Sequence, residues 1–157
     1  MCVCGKDLKW SSVTSGWYHT CGIEKHSEKL YCWGSDKFKQ VTGIPPDKKW
    51  SSVSAGRYHT CGIEKHSDKL HCWGSDRSKK VSGMPKGLKW ASASTGQYHT
   101  CGIELTSLKR HCWGAGIGPH TRLRDMPKDR KQAPPRWTPK GVTHTARTAA
   151  AAPTCGT

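Results

Sequence analysis

Six of the nine cysteines form three pairs with ten residues between partners: Cys21 and Cys32, Cys61 and Cys72, Cys101 and Cys112. Each pair follows a histidine placed two residues earlier, His19, His59 or His99. Two chemistries suit such sets. Cysteines directly opposite on an antiparallel ladder can form a disulfide where the pair is of the non-hydrogen-bonded kind, with close Cβ atoms. Alternatively, histidine and both cysteines share one face as zinc ligands. A structural zinc takes four ligands, usually from close Cys-x-x-Cys pairs, and only three groups converge here. The disulfide reading is preferred, conditional on an oxidising compartment. Cys2, Cys4 and Cys155 are left over, and one of the first two can reach Cys155, leaving an odd thiol.

Other reactive side chains recur in the same regular way. His19, His59 and His99 have the chemistry of general bases, but three identical copies make an improbable active site, and each imidazole is expected to bond backbone within its own unit. Trp33, Trp73 and Trp113 have the shape of stacking platforms for a sugar or a base. Packing between neighbouring units is the expected role for them and for Trp10, Trp50 and Trp90, because burial of tryptophan supplies large apolar area. No phosphate loop, nucleophile elbow or His-Glu-x-x-His pattern occurs. No catalytic residue, cofactor or metal is expected. Trp17, Arg57 and Gln97 are different: they are equivalent positions that do not repeat. They fall in a loop before the His-Thr-Cys motif and are the candidate partner-binding rim.

The elements that position these residues come from a repeat of about forty residues. Lys9–Asp47 and Lys49–Gly87 agree at 27 of 39 positions, and Lys89–Gly114 agrees with the second copy at 18 of 26. Such a period indicates stacked supersecondary units. Within copy one, strand-like runs cover 10–13, 18–24, 30–33 and a short stretch near 40–44. They are punctuated by Ser15-Gly16, Gly34-Ser35-Asp36 and Gly43-Ile44-Pro45. No window shows helical periodicity.

The middle hairpin yields a register. With Cys21 opposite Cys32, Gly22 faces Tyr31, whose ring can cover the glycine, and Ile23 faces Leu30. Glu24 then faces Lys29 and Lys25 faces Glu28. The second copy gives Ile63–Leu70, Glu64–Lys69 and Lys65–Asp68, and the third keeps Glu104–Lys109 but sets Ile103 against Arg110. Apolar and opposite-charge pairs across strands stabilise sheets. The turn His26-Ser27 is not a favoured two-residue hairpin, which points to a longer loop.

Composition agrees with an all-β array of modest core. Only 34% of residues are hydrophobic, with eight Trp and one Phe, so small residues and disulfides must share the packing. The net charge of +15 is divided into +9 up to Gly114 and +6 beyond it. Solvated edges, where lysine discourages strand pairing, are the preferred reading over a nucleic-acid or other acidic partner. No apolar run approaches the ~20 residues of a membrane span.

The pattern Trp50…Gly56, His59-Thr60-Cys61, Cys72-Trp73-Gly74, with its counterparts in the other copies, resembles the regulator of chromosome condensation repeat family in a short, cysteine-bearing version. The resemblance covers residues 9–114. It implies an all-β partial β-propeller of three short four-stranded blades, with a degenerate or disordered C-terminal tail. The expected divisions are an N-terminal remnant (1–8), blade 1 (9–48), blade 2 (49–88), blade 3 (89–127, its second half degenerate) and a Pro/Arg/Ala-rich tail (128–157). That tail carries a decayed fourth-blade pattern around Trp137 and His144. Three blades cannot close a ring, so self-association is expected. The functional expectation is a non-enzymatic module binding a protein or glycan through its blade loops. It is expected to be secreted or extracellular as a fragment of a larger propeller whose signal peptide is not in this sequence. The alternatives are an exchange factor for a small GTPase, implied by the resemblance alone and placed in cytoplasm or nucleus, and a basic chromatin or nucleic-acid binder.

Overall fold

The computed structural model describes residues 8–115. The expectations for residues 1–7, for blade 3 beyond residue 115, for the tail and its decayed blade, and for Cys2, Cys4 and Cys155 lie outside the described residues. Among the described residues nine strands form: β1 (Trp10–Ser15), β2 (His19–Glu24), β3 (Leu30–Gly34), β4 (Trp50–Ala55), β5 (His59–Glu64), β6 (Leu70–Gly74), β7 (Trp90–Thr95), β8 (His99–Glu104) and β9 (Arg110–Gly114). Consecutive triplets make three antiparallel sheets, one per repeat, in the orders β1-β2-β3, β4-β5-β6 and β7-β8-β9. The sheets form an open array. Among the described residues no helix is long and apolar enough to cross a membrane.

The register of the middle hairpin is the one the residue types dictate. Cys21 pairs with Cys32, Gly22 with Tyr31 and Ile23 with Leu30, and the same offsets recur in the other two sheets. The loop closing it is longer than a two-residue turn. Glu28 N–H donates to the Glu24 carbonyl at 3.0 Å, and Glu28 adopts φ 60°. Lys25 therefore does not face Glu28: its N–H bonds the Lys9 carbonyl. Lys65 and Asp68 part in the same way, through Lys49 and Glu64. The Glu24 carboxylate turns into its own loop, accepting from the N–H groups of His26 and Ser27, instead of meeting the Lys29 side chain.

Each sheet has three strands, not four. The stretch near Gln40–Ile44 is wound into turns by Asp36, whose carboxylate accepts from Val41 N–H, Thr42 N–H and the Thr42 hydroxyl at 2.8, 3.0 and 2.6 Å. Gly43 N–H closes on the Lys39 carbonyl. A backbone folded onto an aspartate in this way has no free row of groups for a ladder. Asp76 repeats the arrangement with Val81 and Ser82. A β-bulge between Trp10 and Ser12 recurs in β4 and β7 and sets each first-strand tryptophan across its sheet. It is this ring, not Tyr31, that lies on Gly22; Trp50 and Trp90 lie on Gly62 and Gly102.

The core sits between sheets. Trp50 and Trp73 of the second repeat pack on Cys21, Ile23 and Leu30 of the first, and Trp90 and Trp113 pack on Cys61, Ile63 and Leu70 of the second. Trp73 and Trp113 are thus scaffold, as expected. Trp10 and Trp33, with no described repeat before them, are 38% and 46% exposed, against 2% and 6% for Trp50 and Trp73.

Candidate partner-binding rim

The loops between the first and second strands of successive sheets come together at one end of the array. Gly16, Gly56 and Gly96 each donate N–H to the carbonyl of the histidine three residues on. Across sheets, Trp17 N–H meets the Gly56 carbonyl and Arg57 N–H the Gly96 carbonyl, both at 3.4 Å. The approach is so close that a Cβ on Gly16 would lie 2.2 Å from the Gly56 carbonyl oxygen. Glycine is required there by space.

Beneath the loops runs a relay of side chains. His19 Nε2 lies 2.8 Å from Thr60 Oγ1 and His59 Nε2 lies 2.9 Å from Thr100 Oγ1. The threonine hydroxyls donate to the carbonyls of Gln40 and Lys80, at 3.0 and 3.1 Å. A hydroxyl has one proton, so each histidine must be the Nε2–H donor. The Nδ1 atoms are buried without a partner, as suits an unprotonated nitrogen. Burial first, then the nearby Lys80, His19 and His99, lowers His59 to about 3; burial also lowers His19. These imidazoles are neutral struts. They bond a hydroxyl of the next repeat rather than backbone in their own, and the Thr following each histidine was the sequence signal.

The cysteines are accounted for equally plainly. The Sγ–Sγ distances are 2.06, 2.13 and 2.14 Å for Cys21–Cys32, Cys61–Cys72 and Cys101–Cys112, which is disulfide distance. Among the described residues no group of three or more His, Cys, Asp or Glu is placed to hold a metal ion.

Of the three rim residues read from the sequence, the structure brings two together. The Arg57 guanidinium lies over the exposed Trp17 ring at 4.5 Å and over Tyr58 at 5.0 Å. Gln97 turns aside and donates to the Tyr98 hydroxyl at 2.6 Å. Sequence reasoning missed Tyr18, Tyr58 and Phe38. Tyr18 and Tyr58 stack at 5.1 Å and 13°, and Phe38 meets Tyr58 edge-on at 5.1 Å. The tyrosines recur in every copy and read as scaffold. Phe38 carried a usable signal, being the chain's single Phe at a position where the second copy has Ser78. Hydrogen bonds from Tyr58 and then Arg57 hold the Tyr18 hydroxyl below its ordinary value, and the reciprocal bond from Tyr18 raises Arg57. The result is a stacked, cationic surface suited to recognition. It holds no nucleophile paired with a base.

Comparison with known proteins agrees with this architecture. Residues 10–40 and 50–78 match the regulator of chromosome condensation (RCC1) repeat. No curated protein matches the chain. Among solved structures, the ectodomain of the Physcomitrella patens receptor kinase CR4 is 32% identical with a TM-score of 0.62, over 69% of this chain and 30% of that one. The CRINKLY WD40 ectodomain of the Arabidopsis thaliana receptor kinase ACR4 is 25% identical with a TM-score of 0.63, over 71% and 39%. Yeast RCC1 (Prp20), solved bound to Kap60, shares the fold at 20% identity and a TM-score of 0.57, over 70% and 34%. The chain thus spans between 30% and 39% of the length of these proteins. Glycine-joined loops, tryptophans seated on the preceding sheet and a recurring His-Thr-Cys strand all belong to one recurring unit: over residues 10–40 and 50–78 this chain carries regulator of chromosome condensation repeats.

Proposed function

We propose that this chain is a non-enzymatic binding module that recognises a protein partner through the rim of first loops, with Trp17 and Arg57 at its centre. The observation that carries the reading is the stack itself. The non-repeating Trp17 is 62% exposed, yet Arg57 of the next repeat is held over its face. Exposed aromatic and arginine side chains fixed on a rigid scaffold are the usual composition of binding hot spots. Three cysteine pairs at disulfide distance and the likeness to two receptor ectodomains support an extracellular setting. GTPase regulation gains no residue of this chain, since the likeness to yeast RCC1 is of fold. We also propose that the isolated chain associates with a second copy of itself, as the exposed Trp10 and Trp33 match the rings that fill each internal joint.

The test is a photo-crosslinking residue at position 17, compared with one at position 29 in the hairpin loop. The expected result is a discrete adduct from position 17 only, competed by excess unlabelled chain and not by a Trp17→Ala/Arg57→Ala variant. Equal competition by that variant rejects the rim.

A further inference from the structure

Two of the positions at which repeat 2 departs from repeat 1 bring cations to one place. Lys80 stands where repeat 1 has Gln40, and Arg57 where repeats 1 and 3 have Trp17 and Gln97. Both line the same cavity. Its volume is about 490 Å³, and its walls include Phe38, Arg57, Tyr58, Arg77, Lys80 and Tyr98. No carboxylate lines it. The adjacent Asp76 turns an oxygen back to Val81 and Ser82 N–H, at 2.9 and 2.8 Å. Among the described residues no carboxylate forms an ion pair with any of the three cations.

Such an arrangement is incomplete by itself. Lys80 is 2% exposed; burial lowers its pKa, and the field of Asp76 offsets this only in part, so a further counter-charge in contact with it is favourable. Arg57 is fixed by the Trp17 and Tyr58 faces and by the Tyr18 and Tyr58 hydroxyls. Its Nε is nonetheless buried and donates to nothing. An oxoanion in the cavity supplies a direct counter-charge to both groups, since a guanidinium fork and an ammonium together match a carboxylate. The volume exceeds what a bare oxoanion fills, and the remaining wall is aromatic.

We propose that this cavity receives a carboxylate side chain of an acidic peptide segment on a protein partner, with an apolar neighbour of the acid against Phe38, Tyr58 and Tyr98. The proposal rests on the rim reading, whose loops supply Arg57, Tyr58 and Tyr98 to the wall of the cavity. A peptide acid suits it better than nucleic acid. One projecting carboxylate reaches a nearly enclosed lysine, whereas a phosphate backbone is tracked by cations along a groove.

The experiment uses the full 157-residue chain and fluorescence anisotropy. The probes are a rhodamine-labelled peptide alternating glutamate and phenylalanine, its glutamine counterpart, and a labelled oligothymidylate. The glutamate peptide binds, and the glutamine peptide binds at least tenfold more weakly. Lys80→Gln and Arg57→Gln each weaken binding roughly tenfold or more, the scale of a charge-assisted pair. Lys69→Gln, which removes one charge elsewhere, changes it less than twofold. Lys80→Gln and Arg57→Gln install the residues that other repeats carry as Gln40 and Gln97, and Lys69→Gln alters an exposed side chain, so the fold is retained, as melting curves check. Equal binding by both variants, or no binding of the glutamate peptide, overturns the cavity. Oligothymidylate binding tighter than the peptide and lost in the same variants overturns the peptide occupant. Either failure, alongside a position-17 adduct, leaves the rim reading intact.

Discussion

Gly62 and Gly22 occupy the same place in two repeats and are expected to tolerate a methyl group differently. A Cβ on Gly62 would lie 2.6 Å from Trp50, and one on Gly22 would lie 2.7 Å from Trp10. Trp50 is locked between sheets, while Trp10 has open space to move into. Gly62→Ala should cost about 1–3 kcal/mol, the range of overpacked cores, and Gly22→Ala clearly less; chemical denaturation of the two variants measures the gap. His59 sets a second expectation. Its pKa falls from 6.5 in the unfolded chain to about 3 when folded, so the unfolded chain takes up the proton first as pH drops. Its stabilisation is complete above pH 6.5 and is lost as pH falls through the window down to about 3, at roughly 1.4 kcal/mol per pH unit. Glu24 and Glu64, lowered from 4.5 to about 2, lose their contribution only below pH 4.5. Between pH 6.5 and 5 His59 and His19, both lowered by burial, therefore act without the carboxylates. Titration of the midpoint should slope down in wild type and become shallower in His59→Gln, with His19 supplying the remaining slope.

At the scale of the element, the disulfide-distance pairs close loops of eleven residues' separation. Replacing Cys61 and Cys72 by serine should destabilise repeat 2 by about 2–3 kcal/mol, read as a lower melting temperature, and a larger loss should appear on reduction, which opens all three pairs. The hairpin was legible because its side chains constrain one another: Cys on Cys and Ile on Leu admit a single register, and a slip of one would turn every apolar residue outward. The fourth strand was misread because Val41 and Ile44 look strand-like, whereas the decisive atom, an Asp36 carboxylate oxygen, lies five residues upstream of Val41. The bulge after Trp10 was invisible for a related reason, since an extra serine changes no alternation that a short strand can display. At the rim, Trp17 and Arg57 were legible as breaks in the repeat. Tyr18 and Tyr58 were not, because recurrence argues for scaffold even where the ring faces water.

At the scale of the whole molecule, the joints between repeats all have one design, and each end of the described array holds half of one. Trp10 and Trp33 are uncovered at the first repeat; Ile103 and Leu108 are uncovered at the third. We expect the isolated chain to sediment as a concentration-dependent oligomer, and Ile103→Lys to shift it to monomer while leaving the circular dichroism spectrum unchanged. A monodisperse wild-type monomer would reject the pairing of ends.

The joint also has an unusual economy of atoms. The Gln40 carbonyl accepts from both Thr60 Oγ1 and Trp73 Nε1, and the Lys80 carbonyl from both Thr100 Oγ1 and Trp113 Nε1. Main chain holds the two repeats together, so the side chain at that position is released from the task. Glutamine and lysine both occur there. Position 80 thus acts as a slot in which a charge can be written or erased next to the proposed binding surface without disturbing the seam, which would give an array of near-identical units a way to acquire distinct partners one substitution at a time.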